Sequence, residues 1–487
     1  MTSRRGPGLP GPGLAAPTAS AELDGPPRSA LRCAVMTTPE TPDAGEPAER
    51  RRAMRKEPIQ IGMLGCGTVG GGVLRLLSDN ARYFGERIGV PVQVRRVLVR
   101  DLAKERVPEC DRALLTTSAD DVIDDPAIDL VVEVMGGEEP AGALIERAIA
   151  RGLGVVTANK MLLARRGPRL VELAIERRVD LAFEGAVGGG IPIIRTLREA
   201  FASDWVERLV AIINGTCNYV LTRMREGGQP LASAIAEAQA KGYAEADPSL
   251  DVDGHDAAHK LVVLAMLAFG ASVDAAEVST EGIRGIDEVD HRFAERFGYV
   301  IKHLAVGRDL GDAIELRVHP AFVPRTSMLA NVSGVLNAVL LHGRALGPSL
   351  VYGRGAGDLP TAVSVVSDIL DVSRSILAGV AGMQTRAIAI APRRILPMAD
   401  VVSRYYLRFL VADRPGVMAR LTGALGDAGV SIEQIVQEGE AEEVSRPVDV
   451  VVITHRAREG AIRGAFAAIA GEPFLMAPAR LLRIEER

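Results

Sequence analysis

A chain of 487 residues, 47% hydrophobic and 24% charged, has the length for two to four domains and the composition of a soluble globular protein. Its formal net charge of −5 gives no electrostatic case for nucleic acid, and no apolar run approaches membrane-spanning length; the strongest, LVVLAMLAFG at 261–270, suits a buried helix. The four cysteines, Cys33, Cys66, Cys110 and Cys217, are widely spaced with no CxxC pair, which argues against a disulfide framework or zinc knuckle and predicts a reducing, cytoplasmic setting.

Residues 1–56 contain no Phe, Trp or Tyr and are rich in Pro, Gly, Ala and Arg, so they are predicted to be a disordered extension. Their first twenty residues lack acids, as a transit peptide would, but carry no apolar core of a secretory signal. The favoured expectation is a start at Met54, just ahead of the first strand. That strand is IQIGML (59–64), followed by the loop GCGTVG and the helix GGVLRLL. Further strands are read at VQVRRVLVR (92–100), DLVVEVMGG (129–137), GVVTANK (154–160) and VDLAFEGAV (179–187), with a helix at ALIERAIARG (143–152). Strand, helix and strand in this order require right-handed parallel crossovers and an α/β fold.

From Gly188 the texture changes. GGGIPIIRTLREAF leads into a helix with Pro192 at its first turn, ERLVAIINGT (207–216) is strand-like, and LASAIAEAQAKG (231–242) is a helix stopped by Gly242. Mixed elements run to about residue 350, before a glycine-rich turn and long helix at 353–376. The segment 404–487 reads strand, turn, helix, two strands, helix, strand, a small α+β module with its own core.

Gly65, Gly67 and Gly70 form GxGxxG between a strand and a helix. The first glycine permits the tight turn, the second lets the backbone approach a pyrophosphate, and the third allows close packing of helix on strand. A Rossmann-type dinucleotide site is predicted. The second strand ends in Arg100, which suits the 2′-phosphate of NADP, with Lys104 a short step on; Asp101 keeps NAD open.

The stretch KGYAEADPSLDVDGHDAAHK (241–260) holds the densest charge. Gly242 ends one helix, EADPSLDVDG is read as a loop, and a second helix is predicted over about 254–269 with Asp253 as its N-cap. Asp256 and Lys260 are four apart on one face, with the carboxylate N-terminal to the lysine. The run that follows is apolar nearly all round, so this helix is expected to be buried and its lysine to be a constrained proton donor. His255 and His259 invite a zinc reading like HExxH, but Asp stands where that motif has its catalytic Glu and no third ligand is evident.

GCGTVGGGV, VLVRD, TANK, EGAVGGGIPII, NGTCNYVL, GYAEADPSLDVDGHDAAHK and GAGDLPTAVSVVSDI together resemble homoserine dehydrogenase, from about residue 58 to about 395. The tail, with DRPGV and GVSI, resembles an ACT domain. The resemblance implies a Rossmann domain at 57–187 with a returning segment at 350–395; the extension at 1–56 is the clearest departure from the shared core. The resemblance also implies a catalytic and dimerisation domain at 188–349 and a ferredoxin-like ACT domain at 404–487. It implies NAD(P)-dependent interconversion of L-homoserine and L-aspartate 4-semialdehyde, a step toward threonine, methionine and isoleucine. Lys260 would be the proton donor, Lys160 a second active-site lysine, Asp256 their partner, and Glu245 the carboxylate that holds substrate. Cofactor contacts would fall on Gly65, Gly67, Thr68, Val69, Gly70, Arg100, Lys160 and Gly355. A monovalent cation, usually sodium in the family, would sit on backbone oxygens of Glu184, Val187, Gly189 and Ile191. The ACT domain implies an amino-acid effector, threonine foremost, and a homo-oligomer.

Cys217 could invite an aldehyde-attacking nucleophile, but no His lies near in sequence to activate it, and a structural role is expected. Competing readings are another ACT-tailed dehydrogenase, acting on 3-phosphoglycerate or prephenate, and a non-catalytic nucleotide or amino-acid sensor. The set Lys160, Glu245, Asp256 and Lys260 argues against both.

Overall fold

The structure is a computed structural model that describes residues 57–386, 389–438 and 447–486; the expectations on residues 1–56 lie outside them. The first half is built from β1 (Ile59–Leu64), α1 (Thr68–Asp79), β2 (Val92–Leu98), β3 (Leu115–Thr116), β4 (Leu130–Glu133), α2 (Ala141–Ala150), β5 (Gly154–Thr157), α3 (Lys160–Arg177) and β6 (Leu181–Ala182). The strands form a parallel sheet in the order β3-β2-β1-β4-β5-β6. β4 and β5 are buried at every position, as strands covered by helices on both faces must be. The order reverses between β1 and β4, so a ligand crevice opens at the carboxyl ends of those strands. Two expected strands are shorter than read. β4 stops at Glu133 because Gly136 and Gly137, both at positive φ, turn the chain away. The 179–187 stretch keeps only β6 before it breaks into a tight turn.

The second half supplies β7 (Val206–Ile212), α4 (Gly215–Gly227), α5 (Leu231–Ala240), α6 (His255–Ala268), α7 (Glu288–Arg296), β8 (Tyr299–Asp309), β9 (Ile314–Pro324), β10 (Leu336–Gly343) and β11 (Gly347–Arg354). The long α8 (Asp358–Ala378) then returns to the first half and packs on α1, where Gly72 lets Ala362 approach. The tail follows as β12 (Val402–Ala412), α9 (Val417–Asp427), β13 (Ile432–Glu438), β14 (Pro447–Thr454), α10 (Glu459–Ile469) and β15 (Arg480–Ile484). This is the expected strand–helix–strand–strand–helix–strand sequence. Among the described residues no helix is long and apolar enough to cross a membrane.

The tail is joined to the middle region more closely than a separate module would be. β15 pairs antiparallel with β12 and parallel with β9, placing Ala321 opposite Arg483 and Phe322 opposite Ile484. One sheet therefore runs β11-β10-β7-β8-β9-β15-β12-β14-β13, with two short strands alongside. One face of the tail has its own core, with Tyr405, Leu407, Phe409, Leu421 and Ile462. The other face shares a core with the middle region through Tyr406, Ile453 and Ile484 against Phe293 and Phe322. At the seam Arg483 is fully buried. Its guanidinium donates to both oxygens of Glu281, at 2.9 Å each, and to both oxygens of Glu459, at 2.6 and 2.7 Å. Paired forks of this kind satisfy a charge that burial would otherwise make costly.

Candidate active site

The glycine loop lies between β1 and α1, at the crevice. Gly65 has φ +103°, which the turn requires, and a Cβ there would meet the Met135 backbone at 2.9 Å. Gly67 faces open space, whereas a Cβ on Gly70 would lie 2.8 Å from the Gly65 carbonyl oxygen. A side chain would thus be blocked by backbone at Gly65 and Gly70 but not at Gly67. α1 begins at Thr68 with no side chain capping it and no acid in its first turn, leaving a free helix N-terminus for a phosphate. Thr68 is exposed and Val69 half-buried beside it. Arg100 is exposed just beyond β2, and the Asp101 carboxylate accepts from Ala103 N at 2.8 Å.

Lys160 is the first residue of α3. Its helix is started by Asn159, whose Oδ1 accepts from Leu162 N and whose Nδ2 donates to Gly137 O. The fully buried Glu133, at the end of β4, organises both neighbouring turns. It accepts from Met135 N and Gly136 N at 2.9 Å each and from Thr157 Oγ1 at 2.6 Å.

α6 packs on α3 in a core that includes Leu163, Leu170, Leu261 and Met266, and this brings Asp256 to Lys160. Asp256 is 3% exposed. Its Oδ1 lies 2.9 Å from Lys160 Nζ and its Oδ2 lies 2.7 Å from Lys260 Nζ. Lys260 Nζ also donates to Ile213 O at 2.7 Å. Burial opposes the Asp256 charge, but the two ammonium groups outweigh it and hold the carboxyl well below its usual range. Burial likewise opposes the charge on Lys160, and Asp256, Asp251 and Glu245 together raise its pKa above the ordinary lysine value. Glu245 is exposed at the mouth of this cluster, within electrostatic reach of Lys160. Lys160, Lys260 and Asp256 therefore converge, with Glu245 in electrostatic reach of Lys160.

Two local expectations are corrected. Asp253 does not cap α6; it pairs with Arg284, and Gly254, at φ +91°, starts the helix. The segment read as a loop holds a short helix, Ser249–Val252, led by Asp247, which accepts from Ser249 N and Oγ. His255 is exposed and His259 half-buried, while Asp256 between them is taken up by the lysines. No group of three or more His, Cys, Asp and Glu that could hold a metal is found among the described residues. Cys217 is fully buried, its thiol pushed well above the usual pKa by burial and directed at Asp251 O, 3.1 Å away.

The comparisons with known proteins bear on all three parts of the chain. Residues 192–370 match the homoserine dehydrogenase family model, 65–184 the homoserine dehydrogenase NAD-binding domain, and 405–471 the ACT domain. The homoserine dehydrogenase of Pseudomonas aeruginosa is 42% identical over 436 residues, covering 88% of this chain and 99% of the relative. The chain belongs to the homoserine dehydrogenase family. That of Bacillus subtilis is 39% identical, covering 82% of this chain and 92% of the relative. A crystal structure of a homoserine dehydrogenase from Thiobacillus denitrificans is 43% identical with TM-score 0.82, covering 88% of this chain and 99% of that one. A hyperthermophilic archaeal homoserine dehydrogenase in complex with NADPH is 27% identical with TM-score 0.56, covering 65% and 98%.

As a member of the homoserine dehydrogenases, the enzyme is an NAD(P)-dependent oxidoreductase. Its glycine loop at 184–191 fits the cation that the sequence resemblance implies. Glu184, Val187, Gly189 and Ile191 are all buried. The Glu184 carboxylate is occupied, accepting from Ile194 N and Arg195 N at 2.8 Å each. The loop therefore offers neutral carbonyl oxygens, a donor set suited to a hard, weakly held cation. Gly189 O already accepts from Ser364 Oγ, and Ile191 O from Ile193 N; each keeps a second lone pair. Gly189 also abuts Gly355: a Cβ there would lie 2.5 Å from the Gly355 oxygen, so the 184–191 loop and the turn that precedes α8 touch. The sequence reading missed Glu133 and Asn159, which shape the crevice, and Asn214, which touches Asp256. An acid ending a buried strand was the available signal for Glu133.

Proposed function

We propose that the enzyme reduces L-aspartate 4-semialdehyde to L-homoserine, and the reverse, with Lys260 as proton donor. The observation that carries this is the single buried carboxylate, Asp256, holding two ammonium groups from two different domains. A bound nicotinamide supplies the hydride and the protein supplies everything that steers it. Lys160 and Lys260 polarise the aldehyde oxygen, and Lys260 gives the developing alkoxide its proton. Asp256 holds both lysines in place, and Glu245, at the mouth, holds the substrate ammonium. Gly65, Gly67, Thr68, Val69, Gly70, Lys160 and Gly355 would hold the cofactor. Backbone oxygens of Glu184, Val187, Gly189 and Ile191 would hold a monovalent cation, sodium by preference, which would brace the loop against Gly355.

NADP is the preferred cofactor in this reading. Arg100 is free at the exit of β2 and the Asp101 carboxylate is turned to Ala103 N, away from a ribose-binding role; the archaeal relative was solved with NADPH. The domains divide at 57–187 with 350–395, 188–349 and 404–487. Threonine is the proposed effector of the ACT domain, which gives feedback on a step toward threonine, methionine and isoleucine. A homo-oligomer is supported by β11, an edge strand that exposes Tyr352 with Leu346 beside it. Cysteine usage supports a cytoplasmic location.

The test is NADPH oxidation with aspartate semialdehyde by the wild type and Lys260→Met, with NADH in parallel. Turnover is expected in the wild type, best with NADPH, and a loss of at least about a hundredfold in the variant with NADPH binding unchanged. Equal rates in the two proteins would refute the assignment.

A further inference from the structure

Asp256 has a third partner besides the two lysines. Asn214 ends the run from β7 into α4 and is 4% exposed. Its Oδ1 accepts from Cys217 N at 2.8 Å, which caps α4 and fixes which way the amide faces. Its Nδ2 then donates one hydrogen to Asp251 Oδ1 at 2.7 Å and the other to Asp256 Oδ2 at 2.9 Å. Every polar atom of the side chain is used. Asp251 is further held by Thr216 Oγ1 at 3.2 Å, and the carbonyl before Asn214, Ile213 O, is the second acceptor for Lys260. One residue thus joins the end of β7, the start of α4, the Ser249–Val252 helix and α6.

We propose that Asn214 is a positioning residue for proton transfer: its amide bridges two adjacent carboxylates, Asp251 and Asp256, fixes the orientation of Asp256, and so holds Lys260 on it. This rests on the reading of Lys260 as proton donor. Asp251 is half-buried and Asp256 buried, and the amide donates to each without adding charge. A lysine or arginine in the same place would compete with Lys160 and Lys260 for Asp256.

The groups that face Asp256 are few enough to assign its titration. Lys160 comes from α3, Lys260 and His259 from α6 itself, Asp251 from the short helix, Cys217 from α4, and His303 from β8, while Glu245 acts through Lys160. Burial lowers the pKa of His259, and that of His303 to about 4, and raises that of the Cys217 thiol, so these three stay neutral near neutral pH. Asn214 donates to Asp256 Oδ2, so removing that donor is expected to move the acid limb of the pH–rate profile to higher pH.

Two full-length variants separate positioning from mere capping. Asparagine, aspartate and serine all cap helices well. Asn214→Asp keeps the cap and the shape but puts a third carboxylate where the donor was. Asn214→Ser keeps the cap and can donate to one carboxylate only. Wild-type turnover is measured first, because its absence would fail the dehydrogenase reading and not this one. For Asn214→Ser, kcat for semialdehyde reduction is expected to fall about ten- to a hundredfold, the range a hydrogen bond to a charged group spans. The KM for NADPH should hold, and the acid limb of kcat/KM should move to higher pH. Asn214→Asp should fall further. The proposal is overturned if Asn214→Ser keeps kcat within about twofold, or if activity falls only in step with melting temperature while the acid limb stays put. Should Asn214→Asp fail to fold, Asn214→Ser alone decides.

Discussion

Replacing Asp256 by Asn removes the charge that two lysines share, and the structure sets the size of the effect. An amide oxygen at 256 can accept from one neighbour, but its NH2 must then face a donor, because Lys160, Lys260 and Asn214 all donate here. Breaking a buried ion pair by removing one partner costs about 3–5 kcal/mol. The Lys160 side chain, 35% exposed, can swing toward water, whereas that of Lys260, 11% exposed, cannot, though it keeps Ile213 O. One stranded charge rather than two places the loss at the lower end, about 3 kcal/mol. The sign with pH follows from the shifts. The Asp256 pKa is depressed, so its contribution is present above the ordinary carboxylate value of 3.8 and is lost as pH falls through its folded value. That of Lys160 is raised, so its contribution is present below the ordinary 10.5 and is lost as pH rises through its folded value. The deficit of Asp256→Asn in urea unfolding should therefore be flat from about pH 5 to pH 9, close in acid, and narrow again in strong alkali as Lys160 loses its charge. In the assay, losing one of the carboxylates that oppose burial lowers the Lys160 pKa, so activity should fall away at lower pH on the alkaline side. Stability within about 0.5 kcal/mol of wild type, together with an unmoved alkaline limb, would refute the reasoning.

Glu245→Gln should raise the half-saturation concentration for homoserine about ten- to a hundredfold and leave kcat close to normal, as steady-state kinetics would show; an unchanged value would remove Glu245 from the substrate. Cys217→Ser should retain full activity, because a hydroxyl can repeat the contact with Asp251 O and the buried thiol takes no part in chemistry. Gly254→Ala should cost about 2–4 kcal/mol, from the left-handed backbone and from a Cβ placed 2.9 Å from Thr280 Cγ2 and 3.2 Å from His303 Nε2. It should also depress kcat, because the helix it starts carries Asp256 and Lys260; thermal unfolding alongside kinetics checks both.

What the sequence disclosed was what lies close along the chain. GxGxxG between a strand and a helix, and Asp256 four residues before Lys260, are local patterns with a fixed spatial meaning, and the structure has both. The meeting of Lys160 with Asp256 depends on α3 packing against α6, and no periodicity encodes that contact; it was legible only through resemblance. Asp253 has the chemistry of an N-cap, but Arg284, thirty-one residues on, draws its carboxylate away and leaves the helix start to Gly254. Asn214 falls in the stretch read as strand-like, and its part in the site is hidden there because its two carboxylate partners come from later segments. The tail's own core was readable from its alternating strands; the parallel pairing of β15 with β9 was not, since strand partners leave no local mark.

That pairing has a consequence for how the protein is made. β9 can complete its hydrogen bonding along the Ala321–Phe322 edge only once β15 has been synthesised. Until then a long, buried-type strand presents an open edge, and Glu281 awaits Arg483. Glu281 stands one residue from Gly282, which packs against Val252 just ahead of the catalytic helix. The middle region is thus finished by the ACT tail, and a chain stopped short of Arg480 is expected to emerge from the ribosome with an unsealed sheet, prone to aggregation.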